Sequence, residues 1–183
     1  MTSVIGLLAH RFDLVPTEPL REARDLFPNF PDEIFTLWLD GRVRRNGWPP
    51  KTPTWRLALR KRSIRYWQSV RWEERKLALD SLDFARPAQR IIDGLIEAYE
   101  HHRPTAYCVP DSQRRLRDVL AYIDTHRCLP SKVLLLHELH RYEIVDGSHR
   151  LAMYFALRAR GWGHDQLLPE QEAWVACVPR PGA

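Results

Sequence analysis

Apolar and polar positions recur along this chain at helical spacing over its first half and as denser runs toward its end. Over residues 19–27, Leu20, Ala23 and Phe27 fall on one side of a short helix that Pro28 stops. Pro31 suits the first turn of a second helix, in which Ile34, Phe35, Trp38 and Leu39 recur up to Asp40, with Gly41 as the exit. The prolines of residues 47–54 mark a loop, expected as the hinge between an N-terminal extension and the remainder. Residues 61–79 read as a helix carrying Lys61, Arg65, Trp72 and Lys76 along one stripe. A further helix over residues 87–102 has Pro87 near its start, faces Ile91, Ile92, Leu95, Ile96 and Tyr99 to a core, and ends at Arg103 and Pro104.

A short strand is expected over residues 106–109. Asp111 and Ser112 then cap a helix with Leu116, Val119, Leu120 and Ile123 at i, i+3, i+4 and i+7. Pro130 opens a strand, and residues 132–139 are apolar on both faces, as a central strand requires. His140 and Arg141 form the tight connection to the next strand, and residues 172–178 form the last one. The pattern predicts a mixed α/β (α+β) protein, a small mixed sheet flanked by helices. Residues 1–80 form a helical N-terminal extension and residues 81–183 the core, the whole folding as one compact unit. No internal repeat or low-complexity segment interrupts it.

One junction carries candidate chemistry. Residues 142–145 are a strand by their β-branched and aromatic character, and Gly147 permits a turn closed to other residues. From Leu151 to Leu157 every residue is apolar or tyrosine, so the helix is buried around most of its circumference, and Gly161 stops it. His149 and Arg150 sit in its first turn, where a cation opposes the helix dipole at a cost of roughly 0.3–1 kcal/mol. An anion bound there reverses the sign of that cost. Backbone N–H groups and an arginine at a helix start are what a nucleotide phosphate needs. The competing interpretation is that Asp146 caps the helix and Arg150 pairs with it.

The run Ile144, Val145, Asp146, Gly147, Ser148, His149, Arg150, Leu151, Ala152 resembles the signature of the ParB/sulfiredoxin superfamily, a strand followed by a D-G-x-H-R turn and an alanine-bearing helix. The resemblance covers roughly residues 110–160. It implies a ParB/sulfiredoxin-like domain in which Gly147, Ser148, His149 and Arg150 bind the phosphates of ATP, the substrate, with Asp146 a catalytic or metal-orienting acid and Mg²⁺ or another divalent cation beside it. Sulfiredoxins carry their reactive cysteine where this chain has Ser148, which argues against sulfinic-acid reduction. The arginine-pair turn of chromosome-segregation ParB proteins and a following helix-turn-helix are both missing from the sequence, which disfavours a centromere clamp. Within the superfamily, a small arginine-rich chain of this kind looks most like plasmid fertility-inhibition proteins. That likeness implies an ATPase and DNA nuclease that attacks single-stranded transfer DNA in the bacterial cytoplasm. Its partner would be the coupling protein of a type IV secretion system, at the periphery of the inner membrane.

Charge adds a second surface. The net charge is +5, and residues 42–76 hold twelve basic residues against two acids, Glu73 and Glu74, with Trp48, Trp55, Trp67 and Trp72 interleaved. Arg56, Arg60, Lys61, Arg65 and Trp72 are candidate DNA-binding residues, since cations neutralise phosphates and an indole stacked on a base is worth roughly 1–3 kcal/mol. The alternative is a solvated basic face over a tryptophan core. No apolar run approaches the ~18 residues of a membrane span, and residues 1–12 do not read as a signal peptide. Cys108, Cys128 and Cys177 have no close pairing and fit small buried hydrophobes in a reducing cytoplasm.

Glu138 is expected near Asp146 across the hairpin, two acids beside a phosphate site that suit a cation or a water-activating base. An exposed acid at a strand end is the alternative. His137 and His140 point apart if residues 133–139 are extended, and neither they nor the cysteines have the spacing of a structural zinc site. Two further functions remain open: a nucleotide- or DNA-gated binding module that breaks no bond, and a small-molecule phosphotransferase. The second leaves the basic tryptophan segment without a use.

Overall fold

The computed structural model describes residues 18–48, 53–163 and 165–179, so the reading of residues 1–12 lies outside the described residues. The protein is mixed α/β and divides between Gln68 and Ser69 into two compact units.

The first unit is helical. Helix α1 (Glu18–Leu26) buries Leu20 and Ala23. Helix α2 (Asp32–Ile34) runs through a π-helical stretch (Phe35–Asp40) directly into α3 (Gly41–Asn46). Gly41 is therefore not the exit: its φ of −63° is ordinary helix, and the chain leaves at Gly47, where φ is +74°. Helices α4 (Pro53–Ala58) and α5 (Ile64–Ser69) follow. The core is aromatic: Phe27, Trp38, Trp55 and Trp67 are all buried. Phe30 stacks on Trp38 with centroids 5.7 Å apart, and Trp67 meets Trp38 edge-on at 4.6 Å. Two of the indoles satisfy their N–H groups on backbone carbonyls, Trp55 on Gly47 at 3.1 Å and Trp67 on Leu59 at 2.9 Å. Residues 49–52, most of the expected proline hinge, lie outside the described residues, and the division between the units falls later, after Gln68.

The second unit holds one four-stranded sheet in the order β1, β4, β2, β3. Strand β1 (Arg71–Ala78) pairs antiparallel with β4 (Glu170–Cys177), β4 pairs parallel with β2 (Val133–Glu138), and β2 pairs antiparallel with β3 (Arg141–Asp146). Helices α6 (Arg86–His101), α7 (Ser112–His126) and α8 (Ser148–Ala159) complete it. Val133, Leu135, Ile144 and Ala173 give the sheet's share of a core closed by Ile92 and Leu95 of α6, Leu116 and Ile123 of α7, and Leu151 and Tyr154 of α8. Leu134 and Leu136, on the other side of β2, are also fully buried, which is why this strand reads as a continuous apolar run. The β2–β3 hairpin turns through Leu139 and His140, both with positive φ, rather than through His140 and Arg141.

The helix expected over residues 61–79 does not exist. It is α5 followed by β1, because all eight residues of β1 find ladder partners on β4 and that pairing overrides the helical propensity of its Glu, Arg and Lys residues. The stripe of Lys61, Arg65, Trp72 and Lys76 dissolves with it. The boundary expected after residue 80 moves to Gln68 and Ser69 for the same reason, and one compact unit becomes two. Ala106 and Tyr107 form a turn, and residues 106–109 contain no strand.

Candidate functional site

Strand β3 delivers Asp146 to the start of α8 through a distortion. Leu135 pairs with Ile144 but Leu134 with Asp146, so Val145 is an extra residue, a β-bulge of the kind that re-aims a side chain next to a site. Gly147 follows at φ +95°, and its carbonyl accepts the amide of Leu151 at 3.0 Å. A Cβ at Gly147 would lie 2.8 and 2.9 Å from Nη2 and Nε of Arg150 and 3.0 Å from Val133 Cγ1. The glycine thus serves both the turn and the close approach of the guanidinium.

That guanidinium is committed to the protein. Arg150 Nη2 donates to Asp146 Oδ2 at 2.9 Å and Nη1 to Ser131 Oγ, with the arginine side chain only 11 % exposed. Burial lowers its pKa, and Asp146 opposes that. The pairing of Asp146 with Arg150 considered from the sequence is present, although the N-cap residue itself, Gly147, makes no side-chain cap.

His149 reaches the other way. Its Nε2 is 2.9 Å from Oγ of Ser112, the first residue of α7. Ser112 Oγ accepts the amide of Val109 at 2.8 Å, and in the tautomer in which its own proton is donated to Nε2 the imidazole carries its proton on Nδ1. Burial lowers the pKa of His149, Arg115 lowers it further, and Asp111 and Asp146 pull the other way. At pH 7 the ring is a neutral N–H donor. Before Ser112, Asp111 accepts from Arg115 Nε at 2.9 Å and Arg114 Nη2 at 3.2 Å, and the bond from Arg115 leads the lowering of its carboxyl pKa. The starts of α7 and α8 therefore meet at the Ser112–His149 bond, with Arg115 half exposed beside it. Two helix N-termini carry N–H groups without intrahelical partners, and both dipoles favour an anion.

The structure thus brings together Asp146, Gly147, Ser148, His149 and Arg150 and adds Asp111, Ser112, Arg115 and Ser131. The sequence showed Asp111 and Ser112 as a cap, but nothing local indicated which helix that cap would face. Glu138 is excluded from the site. It pairs with Arg141 at the closed end of the hairpin, while Asp146 pairs with Leu134, four residues along β2 and so about 13 Å away. Among the described residues no group of three or more His, Cys, Asp or Glu side chains is placed to hold a metal ion.

The basic residues belong to the first unit. Arg56, Lys61 and Arg65 are exposed; Arg60 is half-buried at φ +54°. Trp72 is buried on β1 in the second unit, and Trp55 and Trp67 are core, so none of the three offers a face for base stacking. Comparison with models of known protein families, with curated proteins and with solved structures finds no match to this chain. Among the described residues no helix is long and apolar enough to cross a membrane.

Proposed function

We propose that this protein binds ATP by its phosphates at Gly147, Ser148, His149 and Arg115, hydrolyses it, and acts as a nuclease on DNA, as the likeness to the ParB/sulfiredoxin superfamily suggests. The observation that supports this reading is the meeting of two helix starts at the Ser112–His149 bond beside Arg115. Neutral His149 donates Nδ1–H to a phosphate oxygen and Arg115 supplies charge. Arg150 acts through Asp146, holding its carboxylate at the site, rather than as a free phosphate ligand. Asp146 is the one acid of the motif that a divalent cation can use, and such an ion would arrive on the phosphates, as Mg²⁺ commonly does. The DNA contacts are Arg56, Arg60, Lys61 and Arg65 acting through phosphates alone. Single-stranded transfer DNA as the target, inhibition of a competing plasmid's conjugation, a secretion-system coupling protein as partner and residence in the bacterial cytoplasm belong to the same proposal and come from the family likeness.

A second reading, a nucleotide-gated binding module, is favoured by the engagement of Asp146 with Arg150 and the distance of Glu138, which leave the site without a second motif carboxylate. One experiment separates the two. Phosphate release from ATP with Mg²⁺, followed together with cleavage of labelled single-stranded DNA, is expected in the wild type and lost in His149→Ala and Arg115→Ala. Release unchanged in both variants refutes the phosphate site. Nucleotide binding with neither hydrolysis nor cleavage establishes the gated module.

A further inference from the structure

A cavity of about 540 Å³ lies where the chain enters β2 and β4, walled by Tyr122, Leu129, Pro130, Ser131, Leu168 and Gln171. Its volume is that of a small-molecule site, typically about 300–1,000 Å³. Its walls are fixed in advance. Gln171, 2 % exposed, donates its amide to Leu168 O at 2.7 Å and accepts Leu129 N at 2.9 Å, joining the two entering segments, and Leu168 N bonds Arg127 O at 2.9 Å. Ser131 belongs both to this wall and to the motif, where its hydroxyl accepts from Arg150.

The lining selects a class of ligand. Tyr122, Leu129, Pro130 and Leu168 present apolar surface suited to a ring. Glu170 and Glu172 at the rim accept hydrogen bonds from hydroxyl or amino groups and repel anions. Lys76 and Lys132 stand in the same lining: Lys76 is the ladder partner of Glu172, and Lys132 is paired with Glu74 at 3.0 Å and lies over the Trp174 ring. With two lysines set against two acids the lining offers both donors and acceptors beside its apolar surface, and a ring bearing hydroxyls fits it. We infer that the cavity takes the nucleoside, sugar and base, of the nucleotide whose phosphates were placed at His149 and Arg115. This rests on that phosphate reading and extends it from an anion site to a whole-nucleotide site.

The test compares Mg²⁺-ATP with Mg²⁺-tripolyphosphate by titration calorimetry on the full chain. Leu168, 48 % exposed, can take a larger side chain without disturbing the core, so Leu168→Trp is expected to weaken ATP by about tenfold or more while leaving tripolyphosphate unchanged. Cys128 also lines the cavity and gives a readout in the unaltered protein. ATP is expected to protect the Cys128 peptide from alkylation in mass spectrometry, and tripolyphosphate is not. Tripolyphosphate binding with ATP affinity untouched by Leu168→Trp and Cys128 unprotected overturns the cavity assignment and leaves the phosphate site standing. Failure of both ligands to bind overturns the two together.

Discussion

The two units bury their chains with different side chains. The first unit packs the indoles of Trp38, Trp55 and Trp67 against Phe27 and Phe30, two of them hydrogen-bonded to carbonyls. The second fills its core chiefly with aliphatic residues from a sheet and three helices, alongside Phe84 and Tyr154, and sets the Asp146–Arg150 pair at one end of β3. A small helical unit gains its apolar area from a few large rings, whereas a sheet already supplies regular faces that Val, Leu and Ile cover. An aromatic residue among arginines is thus as apt to hold the cations up as to work beside them.

The largest effect that tests this contrast is in the first core. Trp67→Ala is expected to cost about 3–5 kcal/mol and to raise amide exchange across α1 to α5 while leaving β2 and β3 protected. Loss of protection in both units by exchange mass spectrometry would merge them into one cooperative block. Next comes Arg150→Ala, which removes one hydrogen-bond partner from each of Asp146 and Ser131 and is expected to cost about 1–3 kcal/mol in urea unfolding. The double change Asp146→Asn with Arg150→Met is expected to cost less than the two single changes summed, and strict additivity would mean that the pair is not coupled.

A smaller effect is set by pH. Burial holds the folded His149 pKa below its ordinary 6.5, so the unfolded chain takes up the proton first. The associated stability is complete above that value and is lost as pH falls below it. His137, lowered chiefly by burial, acts in the same direction. Melting temperatures between pH 5 and 8 (roughly the window in which histidine titrates) should therefore slope less in His149→Gln than in the wild type. Smallest for stability are Arg56→Glu, Lys61→Glu and Arg65→Glu, expected within about 0.5 kcal/mol of the wild type each, as exposed sites are. The triple variant should nonetheless lose salt-dependent affinity for single-stranded DNA, and affinity unchanged by it would remove the basic face from the proposal.

Strands β2 and β3 and helix α8 were legible in the sequence from local causes, the apolar run of β2, Gly147 at the turn and a helix apolar nearly all round, while the hairpin turn falls one residue earlier than its sequence suggested. Strand β1 was not legible. Its Glu, Arg and Lys residues favour a helix, and only β4, far along the chain, makes them a strand. Burial of Trp55, Trp67 and Trp72 was likewise unreadable, since composition records that a ring is present and not which way it faces. Glu138 was misplaced because closeness to a hairpin turn is distance from the hairpin's open end. Arg150 and Asp146, four residues apart, contained their own pairing in the sequence. The contact of His149 with Ser112 required the fold.

The pairing of β1 with β4 also sets an order of events during synthesis. Residues 71–78 must wait for residues 170–177 before either strand gains its ladder partner, so the sheet cannot close until nearly all of the second unit has left the ribosome. The aromatic contacts of Phe30, Trp38 and Trp67 lie within the first unit's own segment, so they can form while the sheet is still being translated. A nascent chain stalled before β4 would therefore present its basic helical segment ahead of an unformed sheet, and the charged face would exist before the chemistry it is proposed to serve.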